Sequence, residues 1–197
     1  MRPHDLLRLT PRAELIANDL PDWVASSLAR AAFVVVRRAE IQGDLIPVGI
    51  RGTTRAQRFP ARLHRRDVAE TITPESLAHP PTPRRRLPAL AALEQVARAA
   101  APLDLVWGPA GSVGYELATG VEVVTAESDL DIVLRPDPGH TRTDLAAFLH
   151  GLEMLDVPVD ATLESDIGAV ALREWLQSPE RSLIKTKSGP RLGAYSW

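Results

Sequence analysis

Two aspartates separated by one residue carry the clearest chemistry in the sequence: Asp129 and Asp131, within the run from Ser128 to Leu134. Alternate side chains of a strand share a face, so both carboxylates would lie on one face, roughly 6.6 Å apart at the backbone. Like charges so placed repel each other, and aspartate is uncommon in strands. A divalent cation removes this objection, and Mg²⁺ prefers oxygen ligands. The pair therefore predicts a magnesium site, although such a pair alone also occurs where a strand ends in a turn.

A glycine-serine motif, Gly111-Ser112-Val113-Gly114, stands upstream, after a predicted strand and at the start of a predicted helix. Glycines let the backbone approach a ligand closely, and the amides that open a helix favour anions. Ser112 adds a hydroxyl donor. By itself, such a motif is usually only a helix cap. In this order with the aspartate pair, it indicates a triphosphate that bridges the glycine loop and a bound metal.

A third carboxylate is expected on a neighbouring strand. Asp160, in the predicted strand from Val157 to Leu163, is the best candidate. Glu164 and Asp166 follow that predicted strand, where loop carboxylates are normally solvated. The alternative for Asp160 is an ordinary charge on an edge strand.

The composition indicates a globular protein. The 197 residues are 45% hydrophobic and 24% charged, which is ordinary for a folded domain. The absence of cysteine excludes disulfides and thiolate metal sites. The N-terminus lacks an apolar core of signal-peptide length, and no stretch approaches the roughly 20 apolar residues of a membrane span. A soluble, cytoplasmic protein is expected.

Charge is unevenly distributed along the chain. Residues 1–88 carry 15 arginines and 9 acidic residues, whereas residues 89–197 carry 8 basic and 16 acidic residues. This segregation suggests an anionic partner for the first half and a cation site in the second. The candidate anion ligands in the first half are spaced for one face of a helical turn: Arg51, Arg55 and Arg58. The neighbouring arginines are interpreted as solvated surface: Arg62, Arg65 and Arg66.

Four prolines between His79 and Pro88 exclude regular structure there and mark a linker. The sequence therefore predicts a basic N-terminal domain over residues 1–78, a linker over 79–88, whose arginines are interpreted as solvated, and a catalytic domain over 89–197. In the first domain a helix is expected over Pro21–Ala32, with strands at Ala32–Val36, Leu45–Ile50 and Phe59–Leu63.

The second domain alternates strands with helices, which favours an α+β fold, a mixed sheet with packed helices. Strands are expected at Leu103–Trp107, Val121–Thr125, Asp129–Leu134, Val157–Leu163 and Ser182–Lys187. Helices are expected at Leu90–Ala100, Gly111–Gly120, Thr141–Leu155 and Val170–Leu176, the third capped by Thr141 and Asp144.

Motifs that carry a family resemblance cover nearly the whole chain. They are Arg2-Pro3-His4-Asp5-Leu6-Leu7; Pro47-Val48-Gly49-Ile50-Arg51-Gly52 with Arg55, Gln57 and Arg58; Trp107-Gly108; Gly111 to Glu116; Thr119-Gly120; Ser128 to Asp131; Val159-Asp160; Glu174-Trp175; and Ile184 to Leu192. On these motifs, the chain resembles the malonate decarboxylase holo-acyl-carrier-protein synthases, also called phosphoribosyl-dephospho-CoA transferases. The glycine-serine and paired-aspartate motifs are common to the nucleotidyltransferase superfamily.

The resemblance implies a polymerase-beta-type nucleotidyltransferase domain preceded by a smaller α/β domain. It also implies a reaction in which a serine of the decarboxylase acyl carrier protein attacks triphosphoribosyl-dephospho-CoA and releases pyrophosphate. Asp129 and Asp131 would hold Mg²⁺, and Asp160 would complete the site and could help take the serine proton. Groups that would contact phosphate are Ser112 with its neighbouring amides, and Lys185 or Lys187.

Alternative functions use the same motifs. Another nucleotidyltransferase, which adenylylates a protein or a small molecule, would need the same metal site, and so would the citrate lyase counterpart. A basic nucleic-acid-binding module would explain the N-terminal arginines. Only Phe59 is available there to stack on a base, which counts against single-strand binding.

Overall fold

The computed structural model describes residues 1–54, 56–80 and 85–197. Over these residues the chain forms two six-stranded sheets and five α-helices, so the predicted α+β class is confirmed. Arg55 of the predicted anion ligands and residues 81–84 of the predicted linker lie outside the described residues. No helix in the described ranges is both long and apolar enough to cross a membrane.

The first sheet is antiparallel throughout, with the strand order β2-β5-β4-β3-β1-β6. Its strands are β1 (Leu6–Leu9), β2 (Leu15–Ile16), β3 (Phe33–Val36), β4 (Leu45–Arg51), β5 (Arg58–His64) and β6 (Val68–Ile72). Helix α1 (Trp23–Arg30) buries Val24 in its core. The prediction contained α1, β3, β4 and β5 and lacked β1, β2 and β6.

The second sheet is mixed, as predicted, with the order β12-β11-β10-β9-β8-β7. Its strands are β7 (Val106–Pro109), β8 (Leu130–Arg135), β9 (Val159–Ser165), β10 (Gly168–Ala171), β11 (Ser182–Thr186) and β12 (Gly189–Gly193). Only β8 and β9 run parallel among these neighbours. The helices of this half are α2 (Pro88–Ala100), α3 (Gly111–Thr119), α4 (Arg142–Leu152) and α5 (Leu172–Gln177).

One face of the second sheet is covered by apolar helix surfaces. Leu93 and Val96 of α2, Phe148 of α4 and Leu172 of α5 pack into one core with Ile132 of β8. The predicted cap of α4 is confirmed, since Thr141 and Asp144 satisfy each other's backbone amides. Because side chains alternate along a strand, the polar residues of β8 and β9 are left on the opposite face.

Several predicted elements are wrong in part or in full. No strand forms over Val121–Thr125, because Glu116 of α3 accepts hydrogen bonds from the amides of Val123 and Val124, both at 2.8 Å. The predicted helix Val170–Leu176 is divided between β10 and α5. The predicted strand Leu103–Trp107 starts late, because Ala101–Leu103 form a 3₁₀ turn.

The two sheets contact each other through a 3₁₀ turn and two groups of ion pairs. The turn Pro74–Leu77 packs against β7 so closely that a β-carbon on Gly108 would lie 2.0 Å from the Pro74 carbonyl. Arg38 of the first half binds both carboxylate oxygens of Glu164, at 2.6 and 2.5 Å. Glu75 receives hydrogen bonds from Arg2 and Arg135. These five charged residues are called the inter-sheet seam.

Candidate active site

Two of the predicted metal ligands lie side by side. In the parallel ladder of β8 and β9, Asp131 is the direct register partner of Asp160, so the two side chains share the face that the helices do not cover. Asp129 lies one residue before β8 rather than within it, contrary to the predicted strand Asp129–Leu134. It therefore reaches the site from a loop.

The carboxylates fit a magnesium ion that shares its ligands with a substrate. Among the described residues, no three His, Asp or Glu side chains are grouped closely enough to hold a metal by themselves. Mg²⁺ commonly takes only one or two carboxylates and completes its shell with water and substrate phosphates. The neighbouring pair Asp131 and Asp160 meets this smaller requirement, with Asp129 close along the chain.

The glycine loop lies directly against Asp131. Gly111 adopts a left-handed φ of 55°, and a β-carbon on it would lie 1.8 Å from Asp131 Oδ2. The amide of Ala110 also donates to the Asp131 carbonyl, at 2.8 Å. Gly114 serves packing as well, because a β-carbon there would lie 2.6 Å from the Pro109 carbonyl. The sequence thus needs glycine at both positions to bring the start of α3 onto the acidic strand.

The first turn of α3 presents anion-binding groups beside this carboxylate. The first amides of a helix have no partner within it and carry a partial positive charge. Ser112, in that turn, is half-buried, and its hydroxyl makes no hydrogen bond to the described part of the chain. A phosphate next to Asp131 would therefore meet backbone amides and a hydroxyl.

An open cleft of about 500 Å³ contains Asp131 and Asp160 together with Lys185 of β11. Arg173 and Glu174 at the start of α5 form its far wall, and Glu174 also accepts a hydrogen bond from the Leu183 amide. Lys187 does not line this cleft. It borders a separate cleft of about 380 Å³ near the inter-sheet seam, so the structure separates the two predicted lysines.

The first sheet contributes two arginines to the same region. Arg51 ends β4 and Arg58 begins β5, and they are direct cross-strand partners. The predicted helical turn is therefore wrong, but a hairpin brings both side chains to one face. Arg51 is buried, with its guanidinium 5.6 Å from the ring centre of Tyr115, the residue after Gly114. Burial raises the pKa of the Tyr115 phenol, while Arg51 opposes this.

A cavity of about 140 Å³ lies between the sheets, beside the glycine loop. Arg58 and His4 line it from the first half, and Gly111, Gly114 and Tyr115 line it from the second. Desolvation by burial lowers the pKa of His4 below its usual 6.5. Arg58 and the glycine loop, which were singled out on separate grounds, therefore meet at one place.

Comparison with known families shows that both halves of the chain match domains of one family. Residues 2–74 match the phosphoribosyl-dephospho-CoA transferase MdcG N-terminal domain, and residues 76–195 match the C-terminal domain of the same family. The chain belongs to the phosphoribosyl-dephospho-CoA transferase MdcG family. It is therefore an enzyme of the transferase class.

Relatives in the MdcG family align from end to end. A Pseudomonas putida protein is 43% identical over 197 residues, which cover 100% of this chain and 95% of the relative. A Pseudomonas syringae pv. tomato protein is 40% identical over 196 residues, with 99% and 92% covered. An Azotobacter vinelandii protein is 40% identical over 205 residues, with 100% and 94% covered. All three are named phosphoribosyl-dephospho-CoA transferase. No solved structure matches the chain.

Sequence reasoning missed several residues around the MdcG family site. Glu164 lies within β9, is buried and pairs with Arg38, so its interpretation as a solvated loop carboxylate is wrong. Arg85, interpreted as solvated linker, binds both oxygens of Glu116 at 2.6 Å. His4 belongs to the motif Arg2 to Leu7, and the sequence alone assigned it no role. Its local signal was its position next to Asp5, an acid that is buried directly before β1.

Proposed function

We propose that this chain transfers the phosphoribosyl-dephospho-CoA group from triphosphoribosyl-dephospho-CoA to a serine of the malonate decarboxylase acyl carrier protein. The serine oxygen forms the new bond to phosphorus, its proton passes to a base, and pyrophosphate leaves. Support comes from the MdcG family matches over both halves and from relatives named for this transferase activity. The proposal goes beyond the names of the relatives in specifying the carrier protein, the attacking serine and the leaving group.

The position of Asp131 carries the proposal. It is the register partner of Asp160 and also touches Gly111 at the start of α3. A phosphate chain on the glycine loop would thus lie within reach of the carboxylates, which is the arrangement that in-line phosphoryl transfer needs. Magnesium bound by Asp129, Asp131 and Asp160 would supply neutralisation of phosphate charge there.

The chain's own groups have distinct proposed tasks. Gly111, Ser112 and Gly114 bind the departing pyrophosphate through helix amides and a hydroxyl. Lys185, which shares the cleft with Asp131 and Asp160, neutralises phosphate charge, whereas Lys187, in the separate cleft near the inter-sheet seam, is the alternative.

The basic hairpin is the second proposed contact. Arg51 and Arg58, with Arg55 between them in sequence, bind the polyanionic donor or the acidic carrier protein. Guanidinium forks suit phosphate and carboxylate oxygens. Arg58 faces the glycine loop across the small cavity, so an anion bound at that loop would lie near its guanidinium.

Mass spectrometry of the acyl carrier protein tests the proposed reaction. The apo-carrier is incubated with the enzyme, magnesium and either triphosphoribosyl-dephospho-CoA or ATP. A mass increase equal to phosphoribosyl-dephospho-CoA, lost when the carrier serine is replaced by alanine, is expected with the first donor only. An adenylyl increase with ATP would instead support a protein adenylyltransferase. Modification of the citrate lyase carrier but not the decarboxylase carrier would move the assignment to that counterpart.

Thermal unfolding tests magnesium sharing separately. Magnesium alone should raise the Tm only slightly, and magnesium with the donor should raise it more, because the ion prefers to share substrate oxygens. Equal stabilisation with and without donor would contradict a metal site completed by substrate.

A further inference from the structure

A strained turn at the start of the chain holds a histidine over the small cavity. His4 has a left-handed φ of 75°, a region that is uncommon for residues other than glycine but several-fold enriched in Asn, Asp and His. Two hydrogen bonds fix the turn: the Arg2 amide donates to Asp5 at 2.7 Å, and the His4 amide donates to the Val36 carbonyl at 3.1 Å. The turn therefore determines where the imidazole lies.

The cavity that His4 lines has the size and charge for part of a ligand. Its volume of about 140 Å³ is below the roughly 300–1,000 Å³ of whole small-molecule sites, so it suits a single phosphate group. Arg58 and Gly111 line it as well, and none of its described lining residues is acidic. A guanidinium, an imidazole and the start of a helix therefore converge on it, and all three favour an anion.

The ring has one nitrogen turned toward protein groups. Nε2 lies 3.5 Å from Arg38 Nη2 and 4.0 Å from Glu164 Oε2. Nδ1 takes part in no hydrogen bond within the described ranges of the chain. Because Arg38 only donates, its contact with Nε2 is satisfied when a neutral imidazole carries its ring proton on Nδ1. That proton can be donated to a phosphate oxygen.

We propose that His4 is a donor-binding residue, whose Nδ1–H donates a hydrogen bond to the phosphate chain held at the glycine loop. The identity of that chain as part of triphosphoribosyl-dephospho-CoA rests on the proposed function. The recognition of a polyphosphate by His4 does not depend on the proposed function. The first sheet then supplies a ligand to the reacting end of the donor, in addition to a surface for its remainder.

The charges around His4 make the pKa of its ring sensitive to a bound anion. Burial, then the charges of Arg38, Arg135 and Lys185, lower the pKa of His4, and Glu164 opposes them. An anion bound at Nδ1 adds negative charge and raises that pKa. Polyphosphate binding is therefore expected to bring proton uptake by His4.

NMR titration of the histidine rings in the full-length protein tests this directly, with magnesium tripolyphosphate as the probe. The His4 signal, assigned by its loss in His4→Asn, should titrate below 6.5 without the probe, and its pKa should rise when the probe is bound. The exposed His150 ring, paired with Glu153, provides the internal control and should move far less. Failure of tripolyphosphate to bind, or saturation that leaves His4 unmoved, would overturn the proposal.

Kinetics of the same variant provide a second test. Asparagine tolerates the left-handed backbone, so His4→Asn keeps the turn and removes the ring. Because the asparagine amide can itself donate a hydrogen bond, His4→Gly, which also tolerates the left-handed backbone, is measured beside it. Loss of a hydrogen bond to a charged group in His4→Gly should raise the donor KM about 10- to 100-fold, with a smaller change in kcat, whereas His150→Gly should leave both unchanged. An unchanged donor KM in a folded His4→Gly would reject the contact. A His4 response to tripolyphosphate without transfer to the carrier would instead reject the proposed function and retain the phosphate site.

Discussion

Asp131 lies where three parts of the site meet: the parallel strand pair, the glycine loop and the open cleft. One carboxylate thus has neighbours on β9 and on α3, whereas Asp129 approaches from the loop before β8. Alternation along one strand predicts that Asp129 and Asp131 share a face. In the structure, the direct neighbour of Asp131 is instead Asp160, across the parallel ladder.

Replacing either of the paired aspartates by asparagine should remove transfer and leave the fold intact. Asp129→Asn and Asp131→Asn keep side-chain size, so the fold should be retained, and remove a charged oxygen that would hold magnesium. Turnover should fall by more than about 100-fold, since even an indirect partner of a metal ligand contributes 10- to 100-fold. Turnover and Tm are measured on the same preparations. Wild-type activity in either variant, or unfolding of both, would contradict a magnesium site here.

Gly111→Ala separates the contact with Asp131 from backbone strain. Gly120 offers a matched control, because its φ is 71° and a β-carbon there would have no neighbour within 4 Å. Each alanine should cost roughly 1–2 kcal/mol in left-handed strain. Only Gly111→Ala should also displace the Asp131 carboxylate and abolish turnover. Equal activity of the two variants would show that close contact at Gly111 is not required.

At the scale of elements, the hairpin of β4 and β5 is the part of the first sheet that faces the site. Charge reversal at exposed Arg58 should raise the KM for the donor or the carrier protein, and the effect should shrink with salt because exposed charges are screened beyond roughly 10 Å at 0.1 M ionic strength. Arg66→Glu, on exposed surface beyond β5, is the control. Steady-state kinetics at low and high salt measure both. A KM that stays constant for both substrates in Arg58→Glu would return this arginine to ordinary surface.

Local patterns predicted the elements whose stability is local, and missed those that depend on distant partners. The helix α4 was predicted with its cap because Thr141 and Asp144 are three residues apart. By contrast, β1 and β6 are paired across about sixty residues of chain, a ladder that no local spacing reveals. The run Val121–Thr125 has the residue pattern of a strand, but the amides of Val123 and Val124 donate hydrogen bonds to the Glu116 carboxylate instead.

The candidate site likewise contains residues that the sequence identified and residues that it could not identify. The glycine loop and the three aspartates were identified from residue type and order, which local sequence displays. His4 and Glu164 could not be, because their environment arises only when the first half packs on the face of the second sheet. Arg51 and Arg58 were grouped correctly on an incorrect helical spacing, since a hairpin also brings residues seven apart together.

At the scale of the whole molecule, the inter-sheet seam makes the free energy of unfolding depend on pH in the acidic range. Burial raises the pKa of Glu75, but its own backbone hydrogen bond and Arg135 outweigh this, so the pKa is held below its usual 4.5. The unfolded chain therefore binds this proton first as pH falls through 4.5, and the stabilisation from Glu75 is lost between there and its lower folded pKa.

Glu75→Gln should lower the free energy of unfolding by about 1.5–3 kcal/mol at neutral pH, because Arg2 and Arg135 lose a charged acceptor. It should also flatten the decline of stability below pH 4.5. Urea unfolding at several pH values measures both effects. Glu70→Gln, which breaks the exposed pair with Arg8, is the control and should change neither. A wild-type pH profile in Glu75→Gln would mean that the seam does not respond to acid.

The Arg38–Glu164 pair has a consequence for how the two positions can vary among relatives. Glu164 is only 4% exposed, and a buried carboxylate without its partner costs about 3–5 kcal/mol. A change at position 38 is therefore tolerated only with a compensating change at position 164, although the two positions lie 126 residues apart in the chain. Variation at positions 38 and 164 should therefore be coupled, and a chimera that joins the halves of two relatives should be destabilised when only one of its halves carries its member of the pair.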